Sequence, residues 1–251
     1  MLSARQQHCL KGIGIRRWVE RSSAPVGAED ILSPTVQEIL PPGAITRAAP
    51  AKEATKPKPV SARTEICLDS WDDITRSIHQ CEACDLASNC TQKVPGVGDR
   101  QADLMIIGEG PGHDEDIKGE PFVGRSGQLL DKMLQAIGLS RSQVFITNIV
   151  KCRPPNNRDP HRDEVQACNT FLRAQIKQIA PKVILSVGRV SAHSLLNSTG
   201  PVGKLIREIH QLPESDIPVK VTYHPAYLLR NPSAKSIAWQ DMKTLHQILS
   251  R

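Results

Sequence analysis

The sequence predicts an α/β fold: a three-layer sandwich with a central, mostly parallel four-stranded sheet and helices on both faces. Three observations predict it. Four short β-rich runs, 103–108 (DLMIIG), 144–148 (VFITN), 183–187 (VILSV) and 219–223 (VKVTY), end at polar or glycine residues. Between and after them, 126–137, 162–179, 189–196 and 234–249 carry Leu, Ile, Met and Val at helical spacing. The two kinds of segment alternate, which is the pattern of a parallel sheet wound by crossover helices.

Ahead of this unit the chain divides by composition. Residues 1–21 read as a short helical and strand peptide that breaks between Gly12 and Gly14. Residues 22–66, crowded with Pro, Ala, Lys and Thr and without apolar periodicity, read as a disordered linker. The folded domain is expected over 67–251, entered through a helix at 68–79 that carries Trp71, Ile74 and Ile78. The net charge of +6 lies mostly in the tail: residues 1–66 hold 10 of the 32 basic and 6 of the 26 acidic side chains, which leaves 22 against 20. Charge therefore neither supports nor excludes a nucleic-acid partner.

No run reaches the roughly 18 apolar residues of a membrane span, so no membrane partner is expected. The default readings are a monomer and a cytoplasmic, bacterial-type setting; the Arg-rich, acid-poor 1–21 leaves a mitochondrial transit peptide open. Seven cysteines in a reducing compartment read as ligands or free thiols before disulfides. Cys81 and Cys84 form one close pair, and Cys152 and Cys168 bracket a Pro-rich loop and the start of a helix. Four thiolates suit one tetrahedral zinc or one cubane iron-sulfur cluster, and spacing alone does not separate the two. Cys90 is an alternative ligand. Such a clasp would fix the loop 153–160 (RPPNNRDP), whose prolines stiffen it and whose Arg153 and Arg158 suit phosphate contact.

The residues that carry chemistry stand at or just beyond the strand ends, where open parallel sheets bind ligands. Gly108-Glu109-Gly110-Pro111-Gly112 follows the first strand and lets backbone amides approach a ligand. It lacks the Lys-Ser/Thr of a nucleotide-binding loop, and Glu109, Asp114, Glu115 and Asp116 would repel a triphosphate, which argues against nucleotide hydrolysis. Phe122, in a glycine-flanked loop, offers a planar ring for a base. Asn148 presents a donor and an acceptor in one plane, matching the O4 and N3–H edge of uracil and mismatching cytosine. His224 ends the fourth strand, and Leu228, Leu229 and Arg230 after it form an apolar wedge with a charged flank, suited to the gap left by a displaced base. Each also has an ordinary structural role open to it: loop anchor, turn residue, hydrogen-bonded loop histidine, core leucines.

In their order along the chain, the Gly-Glu-Gly-Pro-Gly loop, the Gly-x-Pro-Phe-Val-Gly turn, 147–155 (TNIVKCRPP) and 224–230 (HPAYLLR) resemble the family 4 uracil-DNA glycosylases, over about residues 81–249. The resemblance implies a DNA-repair enzyme that flips uracil out of DNA and hydrolyses its N-glycosidic bond, leaving an abasic site. It implies a 4Fe-4S cluster on Cys81, Cys84, Cys152 and Cys168. It places Gly108, Glu109 and Gly110 along the uracil pocket, with Phe122 stacked on the base, Asn148 on its edge and His224 at O2. DNA contacts fall to Arg153, Arg158, Leu228, Leu229 and Arg230.

Catalysis falls to His224 as a donor to O2 and to Glu109 or Glu115 as the carboxylate that orients water. Family 1 enzymes carry an Asp where this chain has Gly110, so the two glutamates are not ranked. The Lys-Arg-Arg-Ile-His loop of a related DNA-trapping group is absent from 153–161, so turnover is expected. Residues 1–21 resemble the N-terminal peptide of the clamp-loader psi subunit of bacterial DNA polymerase III, which points to a replication clamp-loader protein as partner. The competing readings are a glycosylase for another damaged base, such as hypoxanthine, a non-catalytic uracil or DNA binder, and an iron-sulfur electron carrier.

Overall fold

The computed structural model describes residues 68–250. The 1–21 peptide with its partner reading, the 22–66 linker and Cys67 lie outside the described residues. In chain order the elements are α1 (Trp71–His79), β1 (Val97–Gly98), β2 (Leu104–Gly108), α2 (His113–Lys118), α3 (Arg125–Ala136), β3 (Phe145–Asn148), α4 (Arg162–Ile179) and β4 (Val183–Val187). There follow α5 (Arg189–Leu196), α6 (Val202–Leu205), β5 (Ile209–Gln211), β6 (Pro218–Thr222), α7 (Pro225–Arg230) and α8 (Lys235–Leu249).

The sheet order is β1-β3-β2-β4-β6-β5. Its inner four strands are mutually parallel and are the four the sequence predicts. The expectation of a four-stranded sheet is corrected at the edges, where β1 and β5 pair antiparallel with β3 and β6 to make a mixed sheet of six. Neither edge strand is long enough to show a period of two. β1 is Val97 and Gly98, and Gly98 has φ +121, with no room for a side chain against Val144 O. β5 reads Ile-His-Gln, with its first and last residues exposed.

β2 is buried on both faces, and its side chains split between two cores as the pleat requires. Leu104 and Ile106 pack with Leu130 and Leu134 of α3 and with Met242 and Leu245 of α8. Met105 and Ile107 pack with Ile74 and Ile78 of α1 and with Phe171 and Leu172 of α4. These are the three layers. From β2 the chain passes to β3 on one side and then returns across to β4 on the other, so the strand order reverses at the carboxyl end of β2. A crevice forms at such a reversal. Gly108, Asn148, Gly188 and His224 lie at or just past the ends of the four parallel strands that border it.

Candidate active site

Gly108 and Asn148 are register partners at the last rung of β2 and β3. A Cβ on Gly108 would lie 2.6 Å from Phe122 Cζ and closer still to Asn148 Oδ1. Glycine is therefore the residue that leaves space between the amide and the ring. Asn148 is 2% exposed. Its Oδ1 is buried without a hydrogen-bond partner among the described residues. Leaving a buried acceptor unmet costs about 1–3 kcal/mol, and this one is free to accept from a group that enters the crevice. Phe122 holds a left-handed backbone, φ 54. Arg141 fixes it by donating to the carbonyls of Pro121 and Phe122. The Phe122 ring stacks on His224 with centroids 5.6 Å apart and planes 29° apart.

His224 caps α7. Its Nδ1 accepts from Ala226 N at 3.2 Å, which leaves the proton on Nε2. Burial, aided by the charge of Arg230, lowers its pKa to about 4 against the opposing pull of Glu115, so the imidazole is neutral at physiological pH. Beneath it, Thr222 donates to Asp241 at 2.9 Å, and Asp241 pairs with Lys220 at 2.8 Å, pinning the end of β6 to α8.

The two glutamates prove different in kind. Glu115 accepts from Gly112 N (3.0 Å), Val123 N (3.0 Å) and Gly124 N (3.2 Å), bracing the Gly-rich loop against the turn that carries Phe122. Glu109 has its pKa raised to about 7 by burial first and then by the charge and hydrogen bond of Asp159, with Arg189 opposing. Asp159 is itself ion-paired to Arg189. Gly110 lies against Val150, whose N–H donates to Glu109 O at 3.2 Å.

Arg153 donates to Asn157 Oδ1 at 2.7 Å and lies 3.1 Å from His113 Nδ1. Arg158 is engaged on both Glu164 oxygens, at 2.8 and 2.6 Å, so its guanidinium closes the 153–160 loop onto the start of α4. The two leucines of the expected wedge are placed differently. Leu228 is 1% exposed and belongs to the core beneath α7. Leu229 (37%) and Tyr227 (39%) are the apolar side chains that α7 shows outward, beside exposed Arg230.

Cys81, Cys84, Cys152 and Cys168 line one cavity, floored by Ile78, Leu86 and Phe171. The five described cysteines are free thiols. Cys90 stands beside Cys152, and its Sγ lies 3.7 Å from Ala87 O. Burial, with neighbouring thiols second, pushes Cys152 far up, and burial pushes Cys168 up to about 11 against Lys151. Cysteines gathered on one cavity become thiolates when a cationic centre holds them, and the four fit such a group in number and chemistry. Lys151 N donates to Cys168 Sγ at 3.3 Å. Among the described residues no group of His, Cys, Asp or Glu converges to hold a single metal ion.

Motif reading assigns no role to two parts of this site. Asp159, which adds to burial in raising the Glu109 carboxyl, and Arg189, which opposes it, come from a loop read for its arginines and from the first turn of a helix. Lys151 stands inside the 147–155 motif with no role read for it, and Gln175 shows in sequence only as a polar residue on an apolar face of α4; both are buried in the core.

A three-layer α/β sheet in which an amide and an aromatic ring flank a strand-end glycine, with a neutral histidine stacked on that ring, defines the class. The family model for the uracil DNA glycosylase superfamily matches residues 95–243. The chain belongs to that superfamily and, within it, to the type-4 uracil-DNA glycosylases. It is 41% identical over 190 residues to the type-4 uracil-DNA glycosylase of Archaeoglobus fulgidus, covering 73% of this chain and 96% of that one. It is 42% identical over 188 residues to that of Sulfurisphaera tokodaii (72% and 86% covered). With that of Thermotoga maritima the identity is 41% over 186 residues (71% and 94% covered).

Proposed function

We propose that this chain excises uracil from DNA by hydrolysis, and that the unpartnered Oδ1 of Asn148 beside Phe122 is the observation that carries the assignment. The target nucleotide leaves the helix and enters the crevice at a cost of a few kcal/mol, less where uracil is mispaired. Phe122 stacks on the base. Asn148 Oδ1 accepts its N3–H while the amide NH2 donates to O4; cytosine, with an acceptor at N3 and an amine at C4, meets the same amide with both polarities reversed. Gly108, Glu109 and Gly110 form the wall that no side chain may fill.

As C1′–N1 breaks, its electron pair moves onto the uracil ring and charge gathers at O2. His224, held as the Nε2–H tautomer, donates there without giving up its proton. A preset donor at developing charge lowers the barrier by about 3 to 4 kcal/mol. Water adds to C1′ and releases a proton. Glu115 already accepts three amide N–H groups, which supports it as the brace of the pocket. Glu109, raised to about 7 by burial and then by Asp159, is the carboxylate to orient the water and take its proton. Arg153, Leu229 and Arg230 meet the DNA, with Arg158 and Leu228 supporting them from within.

Cys81, Cys84, Cys152 and Cys168 would hold a 4Fe-4S cluster, which when bound supplies a rigid crosslink between the entry of the domain and the segment after β3. Four cysteines lining one cavity supply the number and type of ligands a cubane cluster takes, and the kinship with type-4 uracil-DNA glycosylases supports iron-sulfur over zinc. Incubating the intact protein with a single-uracil oligonucleotide in EDTA, followed by alkali and a denaturing gel, tests the activity. Cleavage at the uracil, lost in Asn148→Ala and His224→Ala, is expected; an intact strand would overturn the assignment. A slow-migrating protein-DNA adduct would move the chain to the trapping enzymes.

A further inference from the structure

Between the base pocket and the thiols lies Lys151, a side chain the reaction above does not use. It is 2% exposed, and its ammonium is enclosed. A charge in such a place persists only if its protons are met. Lys151 Nζ donates to Thr147 Oγ1 at 2.7 Å, to Gln175 Oε1 at 2.7 Å and to the backbone carbonyl of Asn148 at 2.8 Å. All three ammonium protons are used, and all three acceptors are neutral.

The acceptors are themselves held in the right sense. Thr147 Oγ1 donates its one proton to Pro95 O at 2.9 Å, and Gln175 Nε2 donates to the same carbonyl at 2.7 Å. The oxygens of both are thereby turned toward the ammonium. The backbone of Lys151 adds two bonds, from its N–H to Cys168 Sγ at 3.3 Å and from Val94 N to its carbonyl at 2.7 Å. One residue thus ties Asn148 to α4 and to the segment entering β1.

Asn148 needs such a hold. Its Oδ1 has no partner of its own, so nothing at that end of the side chain fixes the amide before a base arrives. Its direction must come from the backbone. We propose that Lys151 is a positioning residue for base recognition: its ammonium grips the Asn148 carbonyl from behind β3 and keeps the carboxamide aimed into the pocket. The charge-assisted bond to a carbonyl is stronger than a neutral donor would give, and the three-way bond leaves the strand end no alternative setting. The proposal rests on Asn148 reading the base.

The test is a double-mutant cycle in single-turnover excision from a uracil-containing oligonucleotide, using cluster-loaded full chain. Lys151→Met is expected to slow excision roughly tenfold to hundredfold in the wild-type background, the scale of a misplaced recognition group. In an Asn148→Ala background the same change is expected to cost less than about twofold, since the group it positions is gone. Equal fold losses in both backgrounds would show a merely structural role and overturn the proposal. If Lys151→Met shows no cooperative thermal transition, Thr147→Val, which removes one acceptor and keeps the shape, takes its place with the same two outcomes. Full activity in Asn148→Ala would instead remove the reading of Asn148, and the proposal with it.

Discussion

Gly108 and Asn148 stand side by side at the ends of adjacent parallel strands, so close that a methyl group on the glycine would overlap the asparagine oxygen. The overlap separates recognition from folding. Gly108 is outside the positive-φ glycines, so alanine there strains no backbone. Gly108→Ala should leave the thermal transition within a few degrees of wild type while slowing uracil excision roughly hundredfold, because the amide or the ring must move by about an ångström. An unchanged rate would show that the space between Gly108 and Phe122 is not the base site.

The tautomer of His224 makes a second prediction. With a folded pKa of about 4 and an unfolded one near 6.5, the neutral ring contributes stability that is present above about 6.5 and is lost as pH falls through about 4. Excision should accordingly show no imidazole inflection near 6.5, and 15N shifts at pH 6 should report a neutral ring protonated at Nε2. His224→Ala should lower kcat by roughly 10²–10³ with KM little changed, as for loss of one preset donor.

The sequence carried most of the frame and part of the site, and the division has physical causes. The inner strands were legible because burial on both faces writes an unbroken apolar run, as in 104–107. The edge strands were not, since two or three residues hold no period. Asn148 and His224 were legible because strand ends in a parallel sheet open on one crevice. Glu109 and Glu115 were not separable by type or spacing: Glu115 is held by three backbone amides, and Glu109 is raised by burial and by an aspartate fifty residues on, surroundings that exist only after folding. Leu228 and Leu229 are chemically alike in sequence, and only the rotation of α7 assigns one inward and one outward.

Asp159 beside Glu109 predicts a pH profile. If the ionised Glu109 orients water, kcat/KM should rise with pH through about 7. Asp159→Asn removes the neighbouring negative charge and should move that inflection downward. Glu109→Gln should abolish it at a low plateau. The stability sign is opposite to that of His224: a carboxyl raised to about 7 from roughly 4.3 unfolded contributes stability present below the unfolded value and lost as pH rises through 7. An inflection unmoved by Asp159→Asn would detach it from Glu109.

The two leucines of α7 should respond oppositely. Leu228→Ala opens a cavity in the core and should cost about 2–5 kcal/mol of stability. Leu229→Ala should leave stability within about 0.5 kcal/mol but weaken excision from duplex DNA more than from single strands, because only a duplex closes behind a displaced base. Equal effects on both substrates would remove Leu229 from the wedge.

The cysteines give the last test, and Cys90 makes it sharp, because it stands beside Cys152 without lining the common cavity. If the four cavity cysteines are the ligands, the anaerobically purified protein should carry about four irons per chain and a broad visible absorbance. Cys81→Ser, Cys84→Ser, Cys152→Ser and Cys168→Ser should each lose both, and Cys90→Ser should keep them. Loss of the crosslink should reach the pocket through structure alone. Asp116 accepts from Thr91 N at 2.8 Å and Gln92 N at 3.2 Å, so the segment after Cys84 is docked on α2, the helix that carries Glu115. A cluster-free variant should therefore show faster amide exchange at 112–124 as well as slower excision. Iron lost from Cys90→Ser but kept in Cys152→Ser would reassign the fourth ligand to Cys90, which lies close enough to take its place.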